Sequence, residues 1–215
     1  MHLDYTKVII LILWWRNFQL EYWRTFQLVS TPDMTKRQVF YSFHFKNDSW
    51  RAGQVRNIGV VEGNTPVSSN DWEEVKRKGD DSIKRWIDTH MDYRSCVIVL
   101  IGSDTASRKW CRYEIKHAWK EGKGVVGIYV HNLKNIDGEQ DIKGDNPFKL
   151  FCVDKTFNYI VEHKHPADSN EINLSEICKT YDPPYKISTN VYDYIKEHLN
   201  DWVEEAIRIR NQYPK

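Results

Sequence analysis

Glu114 is the acidic residue best placed for chemistry in this sequence. It lies in a predicted helix, 105–120, which follows the most apolar run of the chain, 95–102, after a short polar loop. At 100° per residue, Glu114 lies about 40° from Trp110 and about 60° from the centre of a stripe of core residues. That stripe consists of Cys111, Ile115 and Ala118. A carboxylate at this rim of the core is suited to stabilising positive charge in a ligand.

Two interpretations of Glu114 are open from residue types alone. In the first it is a site residue, because α/β folds bind ligands where their parallel strands end. In the second it is a surface residue that pairs with Arg108 or Arg112, as many exposed glutamates do. The pattern favours neither.

The GxGxxG pattern at residues 122–127 is not predicted to bind a dinucleotide. That fingerprint follows a strand and opens a helix, so that the helix N-terminus faces the pyrophosphate. Here the pattern ends one helix and enters a predicted strand, 125–130. Gly122 and Gly124 are therefore predicted to form the turn that ends the helix.

Two histidines, His163 and His165, lie between Cys152 and Cys178. Their spacing matches no closed zinc site, and the chain has 8 histidines in all, so we expect solvated loop histidines and no metal site. The sequence also contains neither a GxSxG nucleophile elbow nor a P-loop.

Helices and strands alternate through the body of the chain. Apolar runs predict buried strands, and residues recurring every three or four positions predict amphipathic helices. This alternation is typical of a doubly wound α/β fold with a parallel sheet. The predicted strands are 38–45, 95–102 and 125–130, and the predicted helices are 49–58, 80–91, 105–120 and a long C-terminal helix, 190–212.

Composition excludes several classes of protein. The chain has 215 residues and a formal net charge of +1, so no basic excess points to nucleic acid or to anionic lipid. The 4 cysteines form no CxxC pair, which favours reduced thiols in a cytoplasmic protein.

The N-terminal segment is predicted to be a helical extension of uncertain role. Its unbroken apolar run, 8–15, is far shorter than the about 20 residues that a membrane span needs. Aromatic and aliphatic residues then recur at helical spacing as far as Val29. Because residues 29–33 break this pattern, we predict an amphipathic extension over 1–33, with Met34 as a possible natural start.

Several motifs together resemble the TIR domain. The pattern SxxWCxxE, formed by Ser107, Trp110, Cys111 and Glu114, follows a hydrophobic strand, and residues 39–44 resemble the first strand of that family. With Asn146-Pro147-Phe148, the combination most resembles the TIR-like proteins of bacterial Thoeris antiphage systems. The resemblance covers about residues 34–150, and we divide the chain into the extension 1–33, a TIR-like domain 34–155 and a C-terminal region 156–215.

The resemblance implies a flavodoxin-like parallel sheet and cleavage of NAD+ at the nicotinamide–ribose bond. It implies Glu114 as the catalytic residue, Phe43, His44, Trp72 and Trp110 as substrate-binding residues, and neither a metal nor a bound cofactor. For Trp110, packing that holds the helix is the stronger interpretation, and for Trp72 a buried anchor is as plausible as a stacking contact with the substrate. The loop 59–72 corresponds to one that, in related domains, completes the site across a subunit contact, so self-association is expected.

The expected product is a cyclic ADP-ribose-type signal that reaches a separate effector protein. Two other classes stay open. One is a non-catalytic TIR scaffold that acts by homotypic assembly, and the other is a nucleoside deoxyribosyltransferase-like enzyme, which shares the sheet and a catalytic glutamate.

Overall fold

The computed structural model describes residues 36–63, Val75, 77–157 and 159–214. The predicted extension 1–33 and the predicted site residue Trp72 lie outside these residues. Within them the strands are β1 (Gln38–Ser42), β2 (Glu62–Gly63), β3 (Cys96–Ile101), β4 (Gly124–Tyr129), β5 (Phe151–Asp154), β6 (Ile160–Glu162), β7 (Glu171–Asn173) and β8 (Thr180–Tyr181). The helices are α1 (Phe45–Arg56), α2 (Asp80–Met91), α3 (Lys109–Lys120), α4 (Leu174–Ile177) and α5 (Ser188–Arg210).

Five strands form a parallel sheet in the order β2-β1-β3-β4-β8. Counted by strand order along the chain within this sheet, this is the 2-1-3-4-5 order of flavodoxin-like folds. Every residue of β3 and β4 is buried, which is why both strands are apolar on both faces. The predicted flavodoxin-like class is confirmed.

Helices cover both faces of this sheet. On one face, α2 and α3 contribute Ile83, Ile87, Ile115 and Ala118 to a core that includes Phe40. On the other, α1 and α5 pack through a second set of buried residues, which includes Ala52, Val55, Ile195, Leu199 and Val203. Because α5 lies on this sheet, the long C-terminal helix packs on its own domain.

A second, smaller sheet was not predicted. Strands β6, β5 and β7 pair antiparallel in that order. The chain then returns through α4 to β8, at the edge of the main sheet. Lys36–Lys215 form one compact unit, and the proposed division near residue 155 stays a prediction about where the resemblance ends.

Element boundaries follow the predictions with two informative differences. Helix α2 has the predicted bounds, whereas α1 begins at Phe45, four residues before the predicted start. The predicted helix 105–120 is interrupted, because Thr105–Ser107 form a 3-10 turn and Arg108 is extended before α3 begins. The glycine turn is confirmed for Gly122, which follows α3 with a φ of 70°. Gly124, predicted to share that turn, is instead the first residue of β4.

The four cysteines are buried and unpaired. In the part of the chain that the structure describes, no helix combines the length and apolarity that a membrane span requires.

Candidate functional site

The site lies where the strand order reverses, between β1 and β3. In doubly wound sheets the crevice outside the carboxyl ends of the strands at this point is the usual place for a ligand. Strand β1 ends at Ser42, and β3 ends before Gly102. The Thr105 hydroxyl accepts a hydrogen bond from Gly102 N at 2.9 Å and donates one to Leu100 O at 3.2 Å. This loop therefore has a fixed course into α3.

Glu114 lies in the second turn of α3 and faces this region. The residue is 8% exposed, and no described side chain forms an ion pair with it. Burial raises the pKa of its carboxyl to about 8, and the nearby Ser42 hydroxyl opposes the rise. Desolvation dominates because a charged carboxylate loses its water there without gaining a cation. The surface interpretation, in which Arg108 or Arg112 pairs with Glu114, is therefore wrong.

Ser42 connects the end of β1 to this carboxyl. Its side chain is fully buried, and its hydroxyl completes no well-directed hydrogen bond among the described residues. The hydroxyl nevertheless lies close enough to lower the pKa of both Glu114 and Cys111. Burial, followed by the neighbouring Glu114, raises the pKa of the Cys111 thiol. These three side chains form one buried polar group between β1 and α3.

His44 and Arg108 form the next part of the site. Burial lowers the pKa of His44, and the positive charge of Arg108 lowers it further. The Nδ1 atom of His44 is buried and has no hydrogen-bond partner among the described residues. Arg108 pairs with Asp104 at 2.8 Å. The predicted site residue His44 thus lies beside the loop that leads from β3 into α3.

Phe43 faces the opposite side of the sheet from Glu114. Its ring packs with that of Phe45 at 6.4 Å between centroids, and the Arg56 guanidinium lies 5.4 Å from its centroid. Alternation along an extended chain explains this, because Ser42 and Phe43 point to opposite faces. Phe43 is half-buried, at the edge of the core that α1 shares with α5.

Trp110 lies at a different surface from Glu114. It is half-buried, contacts Tyr113 edge-to-face at 6.0 Å, and has Lys109 Nζ 4.8 Å from its ring centroid. It lines a shallow cavity of about 190 Å³ together with Lys84 and Glu162. These contacts are those of a packing residue that holds α3 against its neighbours.

A larger cavity of about 670 Å³ lies between the 3-10 turn and the small sheet. Its lining includes Ser107, Arg112, Lys149 and Lys164. Glu114 lines neither of these two cavities, and the segment 64–74, which contains Trp72, is outside the described residues.

Comparison with known proteins places these features in a family. The family model described as "Thoeris protein ThsB, TIR-like domain" matches residues 40–135, which include Ser42, His44 and Glu114. A protein of Bacillus cereus (strain MSX-D12), named "Putative cyclic ADP-D-ribose synthase ThsB1", is 37% identical over 148 residues, 66% of this chain and 71% of its own. The chain belongs to the Thoeris ThsB family of TIR-like proteins. The resemblance seen in the sequence is thereby confirmed.

One buried ion pair was not predicted from the sequence. Asp48 and Arg51 of α1 pair at 3.1 Å, and both are buried. Arg51 also donates to Leu133 O at 2.8 Å and to Glu139 O at 3.3 Å. The pair therefore fixes the loop 131–146 over the strand ends. Its sequence signal was the i, i+3 spacing of opposite charges on a helix.

Glycines let the loop 131–146 approach the end of β3. A Cβ on Gly144 would lie 2.0 Å from Gly102 O, and a Cβ on Gly102 would lie 2.2 Å from Asp48 Oδ2. Burial raises the pKa of Asp48 to about 6 despite the Arg51 charge. The floor of the site is thus a closely packed set of backbone and acidic groups.

Proposed function

We propose that this protein cleaves the nicotinamide–ribose bond of NAD+ and makes a cyclic ADP-ribose-type signal. The observation that carries the proposal is the buried Glu114 carboxyl beside Ser42, at the reversal point of the sheet. The printed name of the ThsB1 relative supports the same substrate and product class.

The chemistry needs only one carboxylate. Most glycosidases use two, since the departing oxygen has to receive a proton. Nicotinamide leaves NAD+ from an already positive pyridinium and departs neutral, so no general acid is required. Positive charge then moves from the pyridinium toward the ribose. Glu114 is the catalytic residue in this proposal, and its charge stabilises that oxocarbenium-like centre.

The raised pKa of Glu114 is compatible with this role. In the free protein the carboxyl is mostly protonated at neutral pH, since its pKa is about 8. A unit positive charge at about 4 Å in an effective dielectric near 20 contributes roughly 4 kcal/mol. A positive charge on bound substrate therefore lowers the pKa of Glu114 toward its ordinary range, because an opposite charge nearby favours the ionised form. The carboxylate is then ionised when the bond breaks.

His44 is proposed to contact the substrate on the β1 side of the site. Phe43 stays a proposed substrate contact from the sequence alone, since its ring packs on the face of the sheet opposite Glu114. The buried Nδ1 of His44 is available to a ligand group, and Phe43 is half-buried beside it. Trp72 is proposed as a third substrate contact, from the loop 59–72. Trp110 has the contacts of a packing residue and is assigned a positioning role.

Cyclisation requires a ribose or base nucleophile of the same molecule to react before water does. A buried, water-poor carboxyl favours this outcome, because the pocket then holds few competing water molecules. We further propose that the product leaves the enzyme and acts on a separate effector protein. Self-association through TIR contacts is proposed to complete the site.

Mass spectrometry of NAD+ incubated with the protein tests the proposal. The full chain is compared with Glu114→Gln and with Glu121→Gln, a control at the exposed end of the same helix. We expect free nicotinamide, and a product one water lighter than ADP-ribose, from the wild type and from Glu121→Gln. Equal turnover by Glu114→Gln would overturn the assignment of Glu114.

Two further results would favour other classes. An intact NAD+ pool at all protein concentrations, with concentration-dependent assembly, would favour a scaffold. Base exchange on nucleosides would favour a deoxyribosyltransferase-like enzyme. Rising specific activity with rising protein concentration would support completion of the site by self-association.

A further inference from the structure

Three potential metal ligands from separate segments meet on the small sheet. They are Cys152 of β5, His163 just after β6, and Glu171 at the start of β7. Their ligand atoms all lie within 4.8 Å of one another. Within the described residues, this cluster therefore combines a thiol, an imidazole and a carboxylate.

The histidine nitrogen of this cluster is available to bind an ion. His163 Nε2 is buried and lies 2.8 Å from Glu171 Oε2, but within the described chain it has no well-directed hydrogen-bond partner. The unprotonated nitrogen of a neutral imidazole is a common metal ligand when it accepts no hydrogen bond. The side chains of His163 and Glu171 are 33% and 18% exposed, so an ion and a water molecule have access.

Neighbouring groups hold the other two ligands in place. Asn173 Nδ2 donates to Cys152 Sγ at 3.6 Å and to Lys164 O at 3.1 Å, and Ala167 N donates to Glu171 Oε2 at 2.7 Å. Such outer contacts orient ligands and lower the cost of bringing them together. The segment that follows β6 is thus already folded back over Cys152, whose thiol donates to His163 O at 3.6 Å.

We propose that Cys152, His163 and Glu171 bind one Zn²⁺ ion, with water as the fourth ligand. Sulfur, imidazole nitrogen and carboxylate oxygen are the ligands that zinc prefers, and ligand atoms around tetrahedral zinc lie roughly 3–4 Å apart. The Cys152 thiol loses its proton to solvent when its sulfur binds the ion. Thiolate and carboxylate then balance the two positive charges of zinc.

The ion fastens the segment 163–171 to the centre of the small sheet. Without it, this segment is held to β5 by a few hydrogen bonds, such as that from the Cys152 thiol to His163 O. The contact between His163 and Glu171 joins the two ends of the segment to each other. None of the three ligands is among the groups that shift the pKa of Glu114, and the ion takes no part in the proposed reaction on NAD+. Loss of zinc is therefore expected to change stability before it changes activity.

Zinc titration of the full-length, chelator-treated protein tests this inference. We expect one Zn²⁺ per chain with a Kd below about 1 µM, and at a hundredfold excess over Kd a rise in Tm of at least about 4 °C. His163→Gln should weaken binding by at least tenfold. His165→Gln is the matched control, since His165 is exposed and lies two residues away outside the cluster, and it should bind as the wild type does.

Cobalt gives a second readout that does not depend on stability. Co²⁺ added to the wild type or to His165→Gln should produce a thiolate-to-cobalt charge-transfer band, which Cys152→Ser should lack. If His163→Gln binds zinc as tightly as His165→Gln does, or if the wild type gives no thiolate band, the proposed site is wrong.

Discussion

The Ser42 hydroxyl and the Glu114 carboxyl lie side by side where β1 ends and α3 begins its second turn. Ser42 is fully buried and Glu114 is 8% exposed. Ser42 lies at the end of β1, and Glu114 lies on α3, which follows the neighbouring strand β3. Two polar groups thus meet in an apolar setting. This environment raises the pKa of Glu114, so that its carboxyl ionises at alkaline pH or beside a cation.

The pH dependence of NAD+ cleavage should reflect Glu114. The free carboxyl has a pKa of about 8 and is active when ionised, so kcat/KM should rise about tenfold per pH unit up to about pH 8. The bound pyridinium lowers this pKa, so kcat should level off at a lower pH. Steady-state kinetics from pH 5.5 to 9.5 measure both. A kcat/KM that is flat or falls with rising pH below 8 would exclude this role.

Ser42→Ala provides the control for that profile. Since the Ser42 hydroxyl lowers the pKa of Glu114, its removal should move the rise of kcat/KM to higher pH. The activity deficit of Ser42→Ala should therefore be larger at pH 7 than at pH 9.

Replacing Glu114 with Gln should stabilise the fold at alkaline pH. The folded pKa of about 8 is above the unfolded value of about 4.3, so the folded state binds more protons between these pH values. Wild-type stability therefore falls as pH rises through this window and levels off above pH 8. Gln does not titrate and escapes this loss.

Thermal unfolding at pH 5 and at pH 8.5 checks this expectation. The Tm of Glu114→Gln should match that of the wild type at pH 5 and exceed it by at least about 2 °C at pH 8.5. Glu121→Gln should follow the wild type at both values. A difference that is larger at pH 5 would have the wrong sign.

Arg51→Met should destabilise the protein strongly. The substitution leaves Asp48 buried without its partner and removes the hydrogen bonds to Leu133 O and Glu139 O. Breaking one side of a buried pair costs about 3–5 kcal/mol. Urea unfolding measures the loss, and Arg85→Met, at an exposed position of α2, should cost less than about 1 kcal/mol. Equal effects of the two substitutions would show that the buried pair contributes little.

Two glycine substitutions should have opposite effects on stability. A Cβ on Gly144 would lie 2.0 Å from Gly102 O, whereas a Cβ on Gly53 in α1 meets nothing within 4 Å. Gly144→Ala should lower the free energy of unfolding by about 1–3 kcal/mol, and Gly53→Ala should raise it by about 0.5–1 kcal/mol. Denaturation curves of the two variants give both signs, and a stabilising Gly144→Ala would contradict the close approach.

The main sheet could be predicted from the sequence because its signals are local. Strands β3 and β4 are buried on both faces and appear as apolar runs, and α2 shows a clear apolar stripe. The small sheet could not be predicted, because β5, β6 and β7 have only three or four residues each. Its stability depends on pairing between distant segments.

The candidate site was predicted only in part, for a similar reason. Helical spacing located Glu114 at the rim of the core, but it also suggested a shared face with Trp110, whose ring contacts Lys109 and Tyr113 instead. Ser42 was missed because its partner Glu114 lies on another element. Arg51 was missed because its carbonyl acceptors at Leu133 and Glu139 lie in a distant loop, although its i, i+3 spacing to Asp48 was visible in the sequence. Glu171 was missed beside His163 because a loop brings them together.

Nicotinamide release by Glu114→Gln, compared with the wild type and with Glu121→Gln, tests the catalytic role of Glu114 most directly. A charge interaction of roughly 4 kcal/mol with the transition state corresponds to about a thousandfold in kcat/KM, because kcat/KM compares that state with the free enzyme and substrate. We predict a loss of at least a hundredfold in kcat/KM for Glu114→Gln, with the fold intact by circular dichroism and with Glu121→Gln unaffected. A Glu114→Gln rate within threefold of the wild type would contradict it.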